Sequence, residues 1–339
     1  MIKLSDVAQK ADVSNATASM VFNGRPGVNA ATRDRVLAAA AELGYLPNNV
    51  ARNLAMKGSR SIGLAITDIE NPFFGSLTRY INEHASLLGY TTLIALSNDQ
   101  PKEEDRIIGN FVGDRVAGII IVPVMCQRSD YQSYELLKRR NIPYVFATSF
   151  YLGLSSEYVM TDLELGSYRL TRYLLDLGHR EIVHLVSADK SAPLCSLRLA
   201  GYERAFAEKG LTPDPSLIIR CAKPDFHSGY LATKNFLDTR QADALLAIND
   251  ILALGAKKAI RERGLSIPDD LSVAGYDDLI FSSITDTPLT TVRQNIEQIA
   301  KLSVQRLVNK IDGSLSETSP LLIEPDLMVR ESTGPVRVR

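Results

Sequence analysis

A chain of 339 residues is longer than one hydrophobic core usually supports, so two or three domains are expected. With 45% hydrophobic and 23% charged residues it can bury enough apolar surface to fold, which excludes a disordered chain; a net charge of −1 by itself gives no sign of a nucleic-acid or membrane partner. The average conceals an asymmetry, because residues 1–60 carry +4 and the remainder −5. A small basic head on an acidic body suits an anionic partner, although a solvated surface tolerates it equally. Cys126, Cys195 and Cys221 are widely spaced and form no CxxC or Cys/His metal pattern, so reduced core cysteines are expected, with no disulfide and no metal. The start lacks the charged and apolar regions of a signal peptide, and no segment reaches the eighteen or so apolar residues of a membrane span. The expectation is a cytoplasmic protein without a membrane partner.

In chain order, the first sixty residues read as short helices joined by tight turns. Val7, Ala8 and Ala11, then Ala18, Val21 and Phe22, recur at helical spacing. The breaker cluster Asn23-Gly24-Arg25-Pro26-Gly27 precedes an alanine-rich helix from Ala30 to Leu43, which Gly44 is suited to close. Pro47 and Asn48 open one more short helical stretch, to about Met56, and Lys57 to Ser61 has the composition of a linker. From Ile62 the pattern alternates. Strands are predicted at Ile62–Thr67, Thr91–Leu96, Ala117–Val122, Tyr144–Ala147, Tyr158–Thr161, Ile182–Val186, Leu217–Cys221, Ala244–Ile248 and Leu271–Ala274. Helices are predicted over Phe73–Leu88, Glu103–Val112 and Asp130–Arg140, and from Leu165, Leu197, Ser228 and Ile251. Such alternation predicts parallel sheets with helices on both faces, and this many strands predicts two α/β lobes with a ligand cleft between them. A weak internal echo agrees: Leu88-Gly89-Tyr90 and Leu177-Gly178-His179 each lead from a helix end into a buried strand.

Residues 4–23 fit two helices joined by the tight turn at Asp12-Val13, the helix-turn-helix layout. Ala8 and Ala11 are small enough for close crossing, and Ser14 can cap the second helix. Asn15, Ala16 and Met20 have the spacing of base-facing positions. Ser14, Thr17, Ser19 and Asn23 are short hydrogen-bonders suited to phosphates. A plain three-helix bundle with a polar surface remains the alternative reading. The stretch from Tyr45 to Ala55 is too short for an independent helix and needs a partner. Leu54 within it is either an apolar wedge for the minor groove or a residue packed on the first domain.

Catalytic signatures are missing. There is no GxGxxG, and the glycine spacing of Gly113 to Gly118 runs into Ile119-Ile120 where a P-loop needs Lys-Ser/Thr. His179-Arg180-Glu181-Ile182-Val183-His184 is not HExxH and enters a predicted strand, and no GxSxG elbow occurs. No side-chain group recommends an enzyme.

The chain resembles bacterial transcription regulators of the lactose/galactose repressor (LacI/GalR) family. The resemblance rests on Asp6-Val7-Ala8, Val13-Ser14, Ala16-Thr17, Asn23-Gly24, Leu43-Gly44-Tyr45, Pro47-Asn48, Ala51-Arg52, Asn71-Pro72-Phe73-Phe74, Asn249-Asp250, Gly275-Tyr276-Asp277-Asp278 and Val329-Arg330-Glu331-Ser332. It implies a small all-α helix-turn-helix head (residues 1–46) and a hinge helix with linker (47–60). The body would be two doubly wound α/β parallel-sheet lobes like periplasmic sugar-binding proteins. Chain crossings near Thr161, Pro288 and Pro320 would give an N-terminal lobe of 61–161 plus 290–320 and a C-terminal lobe of 162–289 plus 321–332. Asn48, Arg52 and Leu54 would join Ser14, Asn15, Ala16, Thr17, Ser19, Met20 and Asn23 on DNA, with Leu54 entering the minor groove.

In the cleft the resemblance places Phe73, Phe74, Asp162, Arg198, Asn249 and Asp277 around a small-molecule effector. Carboxylates, an amide and a forked guanidinium suit sugar hydroxyls, and an aromatic ring suits the C–H face. Asp250 sits at a family-typical place and could equally be a helix N-cap. Three departures stand out: Met20 replaces a polar base reader, Ala192 replaces the arginine of purine-responsive relatives, and Phe226 is only a candidate for an effector-stacking ring. The tail lacks leucine heptads, so a homodimer is expected. The function implied is a repressor of sugar uptake or catabolism genes, without cofactor, that binds a palindromic double-stranded operator and is switched by a sugar-like effector. The alternatives are a nucleoside, a phosphorylated metabolite or a protein corepressor, and last an enzyme on the same frame.

Overall fold

The computed structural model describes residues 2–22, 26–45, 59–126, 128, 130–154, 157–189, 193–314 and 319–336. The chain divides into two compact units, Met1–Ser59 and Arg60–Arg339. In the first unit α1 (Leu4–Lys10), α2 (Asn15–Phe22) and α3 (Ala30–Leu43) enclose a core of Val7, Ala8, Ala18, Val21, Val36, Ala39 and Ala40. The alanines let the short helices approach closely. The turn between α1 and α2 places Asp12 at φ 51°, and Val13 N–H donates to Ala8 O at 3.0 Å. Asn29 caps α3 by accepting from Thr32 N–H at 2.8 Å, and Gly44 closes it at φ 64°, the left-handed conformation that glycine adopts without a steric cost.

The second unit holds two six-stranded sheets. The first lobe runs β1 (Ser61–Ile66), α4 (Pro72–Leu87), β2 (Thr91–Leu96), α5 (Pro101–Gly113), β3 (Ile119–Ile121), α6 (Gln132–Arg139), β4 (Tyr144–Ala147) and β5 (Tyr158–Thr161). The second runs α7 (Leu163–Asp176), β6 (Ile182–Ser187), α8 (Pro193–Glu208), β7 (Ile218–Cys221), α9 (Phe226–Thr239), β8 (Ala244–Ala247), α10 (Asp250–Glu262), β9 (Ser272–Asp277), α11 (Ile280–Ile284) and β10 (Thr290–Arg293). Then come α12 (Ile296–Ile311), β11 (Leu321–Ile323) and β12 (Asp326–Met328). The first sheet has the order β11-β5-β4-β3-β1-β2 and the second β12-β10-β9-β8-β6-β7; every pairing is parallel except β10 with β12.

Two expected boundaries move. The 290–320 segment was expected in the first lobe and 321–332 in the second. Instead Thr290–Arg293 pairs with Ala274–Asp277 in the second sheet, and Leu321–Ile323 pairs with Val159–Thr161 in the first. The crossings therefore fall at Asp162, at Gln294-Asn295 and at Glu324-Pro325. Helix α12 returns to the first lobe because Ile299, Ala300, Val304 and Leu307 fill its core beside Ile62, Leu64, Ile120 and Val145. Buried Glu157 ties that helix down through Arg306 and Lys310.

The second lobe is stitched by the strand ends that follow β12. Ser332 Oγ donates to Val273 O at 2.6 Å and accepts from Thr290 N–H at 2.8 Å, and Gly334 N–H donates to Ser272 Oγ at 3.1 Å. Helices α9 and α10 meet backbone to backbone, since a Cβ at Gly255 would lie 2.0 Å from Phe226 O and one at Gly229 would lie 2.3 Å from Leu252 O. Gly255→Ala should therefore force the helices apart and cost about 2 to 4 kcal/mol, read as a lower denaturant midpoint of the intact chain. An unchanged midpoint would show that the two helices tolerate separation.

Candidate functional site: a DNA-facing helix and an interlobe cleft

In the head, Ser14 Oγ accepts from Thr17 N–H at 3.0 Å and lies 2.9 Å from Thr17 Oγ1, so one side chain caps α2 and orients the next hydroxyl. Ser14, Asn15 and Ala16 are exposed, whereas Thr17, Ser19 and Met20 are half-buried. Ala18 and Val21 point inward, which leaves the opposite stripe of α2 outward. A Cβ at Gly27 would lie 3.3 Å from Met20 Cε, so the methionine tip rests by the turn before α3. Asn23, Asn48, Arg52 and Leu54 lie outside the described residues, as does Ala192.

In the body, the expected effector residues all follow the C-terminal ends of parallel strands, where doubly wound sheets gather ligand groups. Phe73 and Phe74 open α4 after β1, Asp162 follows β5, Arg198 lies on α8 after β6, Asn249 follows β8, and Asp277 ends β9. Several also hold the local fold. Asn71 accepts from Phe73 N–H at 3.0 Å, and Phe73, 4% exposed, packs edge-on to Phe74 at 5.3 Å. Asp162 caps α7 through Leu165 N–H at 2.9 Å. Asn249 caps α10 through Leu252 N–H at 2.8 Å, and its amide donates to Pro224 O at 2.9 Å, anchoring the loop that leads to Phe226. Phe226 itself begins α9 and is 43% exposed.

Asp250 is not the helix cap, because Asn249 holds that place. Its carboxylate is fully buried and accepts from Leu279 N–H at 2.8 Å, Ser282 Oγ at 2.6 Å and Thr291 Oγ1 at 2.6 Å. Glycine at 275 makes the room, since a Cβ there would meet Asp250 Oδ1 at 2.3 Å. Asp277 is buried nearby and accepts one bond, from Gln294 Nε2 at 2.6 Å. Burial pushes both carboxyls above their ordinary range, helped at Asp250 by the neighbouring Asp278 and at Asp277 by the Asp250 charge, with Arg198 opposing the shift at Asp277. Three donors favour the charged form of Asp250, whereas only one, Gln294, does so at Asp277, so burial raises the Asp277 carboxyl with less to oppose it. Its φ of 120° is strained for a residue with a Cβ, and Asp278 at 57° is clamped by Arg330 at 2.5 Å and Arg293 at 2.7 Å.

Arg198 is 8% exposed, lies 4.6 Å over the Tyr276 ring and forms no ion pair among the described residues. Buried Arg128, by contrast, is held by both Glu104 and Asp105. At the strand ends Asp99 of the first lobe is pushed up by burial and by Asp68, while Lys223 of the second lobe lowers it. Sequence reasoning missed Gln294, Tyr276 and the influence of Lys223 on Asp99, because each depends on the approach of distant segments. Among the described residues no cluster of metal ligands occurs and no helix is long and apolar enough to cross a membrane.

A helix-turn-helix head followed by a two-lobed α/β body of parallel sheets is the architecture of a ligand-responsive DNA-binding regulator. Residues 3–48 match the family described as bacterial regulatory proteins, lacI family, and residues 171–333 match a periplasmic binding protein-like domain. The chain is 30% identical to the ribose operon repressor of Haemophilus influenzae over 98% of both chains. It is 32% identical to the transcriptional repressor CytR of Escherichia coli K12, over 97% of this chain and 96% of that one. The crystal structure of the lac repressor dimer bound to operator and the anti-inducer ONPF superposes with a TM-score of 0.86 at 31% identity, covering 98% of this chain and 99% of that one. The chain belongs to the LacI family of transcriptional regulators.

The carboxyl pair generates a pH prediction. A raised folded-state pKa means the native state binds more protons than the unfolded chain, so this pair's contribution to stability is present in acid and is lost as pH rises. Asp277→Asn should remove that loss, and its thermal midpoint relative to the parent should climb between pH 5 and pH 8. A constant difference would show that Asp277 does not titrate in this window.

Proposed function

We propose that this chain is a cytoplasmic, dimeric repressor of sugar uptake or catabolism genes. Two copies of α2 read the half-sites of a near-palindromic operator, and a sugar-like effector in the interlobe cleft changes the affinity. The observation that carries the effector reading is buried Arg198 of α8, which forms no ion pair among the described residues and acts electrostatically on Asp277, with Asn249 and Asp277 at the ends of the adjoining strands β8 and β9. A guanidinium fork, an amide and a carboxyl match adjacent hydroxyls that both donate and accept. On DNA, Asn15, Ala16 and Met20 are assigned to base edges, and Ser14, Thr17, Ser19 and Asn23 to phosphates. Asn48 and Arg52 are assigned to the backbone, and Leu54 to the minor groove.

The dimer reading has its own support. Strand β2 is a sheet edge with Ile94 47% and Leu96 36% exposed, and beside it Leu87 and Leu88 are 81% and 44% exposed. On the second lobe α11 exposes Ile280 at 70% and Ile284 at 70%. Such rows of uncovered apolar side chains on an open edge suit a second copy. A coupling of about 1 to 3 kcal/mol between cleft and operator corresponds to a roughly 5- to 150-fold change in DNA affinity.

Calorimetry against a panel of free sugars and nucleosides, followed by operator binding in the presence of any ligand found, tests the effector. A sugar that binds and shifts operator affinity supports the reading, and a response confined to nucleosides replaces it. Ile284→Asp combined with Leu96→Lys should yield monomers by sedimentation and abolish tight operator binding. Leu54→Ala should weaken operator binding more than random-DNA binding, whereas Arg52→Ala should mainly reduce the salt slope by about one. Equal losses on both DNAs for both variants would overturn the roles given to these two residues.

A further inference from the structure

His184 occupies a position that the alternation of β6 reserves for the core. Ile182 on the same face packs among Tyr202, Leu170 and Leu174 of the α7/α8 layer, while Val183 and Leu185 join the opposite layer. The imidazole is fully buried, its centroid 4.8 Å from the Tyr202 ring. The Tyr202 hydroxyl is spent on Ile182 O at 2.9 Å. Neither ring nitrogen of His184 has a hydrogen-bond partner among the described residues. Burial, helped by nearby Arg198, pushes its pKa down to about 3. The ring is therefore neutral at physiological pH, with one N–H to donate and one bare nitrogen to accept.

Arg198 lies one helical turn before Tyr202, so both face the same side of α8. Its Nε is buried and unpartnered among the described residues, and so is the hydroxyl of Tyr276, over whose ring the guanidinium lies at 4.6 Å. That hydroxyl is pressed toward α7, where a Cβ at Gly166 would come within 2.1 Å of it. Each buried polar atom left unpaired costs about 1 to 3 kcal/mol. Four such atoms in one layer, on His184, Arg198 and Tyr276, include both donors and acceptors, the combination that buried water satisfies.

We propose that His184 is a positioning residue for Arg198: ordered water held between the imidazole, the Arg198 Nε and the Tyr276 hydroxyl fixes the guanidinium to the floor of the second lobe and sets the direction in which its outer nitrogens meet the effector. This rests on the reading of Arg198 as an effector contact and adds to it a residue that touches no effector.

The test uses the full-length chain labelled with 15N-histidine, which has four histidines in all. His184→Gln identifies the signal. The expected spectrum shows a ring that stays neutral from pH 5 to pH 8, carries the shift of a hydrogen-bonded acceptor nitrogen and responds to Arg198→Met. A crystal structure that resolves solvent should show water within hydrogen-bonding distance of both His184 and Arg198 Nε. A dry ring with an unbonded acceptor shift overturns the proposal. In calorimetry with D-ribose as the probe, His184→Leu should bind about tenfold more weakly while its thermal midpoint stays level or rises, and His184→Gln should restore most of the affinity. Ribose binding by His184→Leu equal to that of the parent overturns it as well. If the parent protein ignores ribose, the choice of sugar fails, and the nitrogen shifts and the solvent structure still decide the role of His184.

Discussion

Three chain crossings hold the body together, and the rest of its design depends on them. At Asp162, at Gln294-Asn295 and at Glu324-Pro325 the backbone passes from one sheet to the other, each time directly at a strand end. Triple attachment keeps the lobes from separating, and three short crossings are where a hinge between two lobes would act. Because ligand groups in doubly wound sheets collect at strand ends, the proposed effector residues lie close in sequence to these crossings. Asp162 and Gln294 belong to the crossings themselves. Through Gln294, whose amide bonds to Asp277, a rotation of the lobes is felt at a proposed effector carboxyl without a long relay.

The chemistry of the cleft follows from unequal distribution of hydrogen bonds. Asp250 accepts three donors that favour its charge, whereas Asp277 accepts one, so burial raises Asp277 with less to oppose it. Arg128 and Arg330 are bound by carboxylates of their own lobe, and Arg198 forms no such ion pair among the described residues. A guanidinium carried nine-tenths buried against an aromatic ring costs free energy that only a ligand, or the water behind it, returns. The structural arginines and the arginine proposed to meet the effector are thus separated by their partners rather than by their burial.

Much of this was legible in the residues and some was not. The buried runs from Ile62 to Ala274 predicted nine of the strands because apolar composition and flanking glycines coincide there. Strands β11 and β12 have three residues each, too few for a period to register, and β10 is a four-residue strand whose side of the seam depends on pairing with β9. That is why the second and third lobe boundaries shifted. Asp162 and Asn249 stand out in the sequence as polar residues before helices, and the structure shows both capping, so their chemistry and their structural duty share one signature. Gln294, Tyr276 and the burial of Asp250 left no local trace. Each acquires its role from a strand or helix many residues away.

The stitching of β11 and β12 bears on how the protein is made. The first sheet is completed by residues 321–323 and the second by residues 326–328, with Ser332 and Gly334 sewing the second shut. Neither lobe can therefore reach its finished hydrogen-bonding pattern on the ribosome until almost the entire polypeptide has emerged. The head has all three of its described helices within the first forty-three residues and owes nothing to that late closure. During synthesis the three head helices are thus complete before either lobe of the body can close, and a nascent chain stalled midway would carry a folded head without the body that pairs it with a second copy.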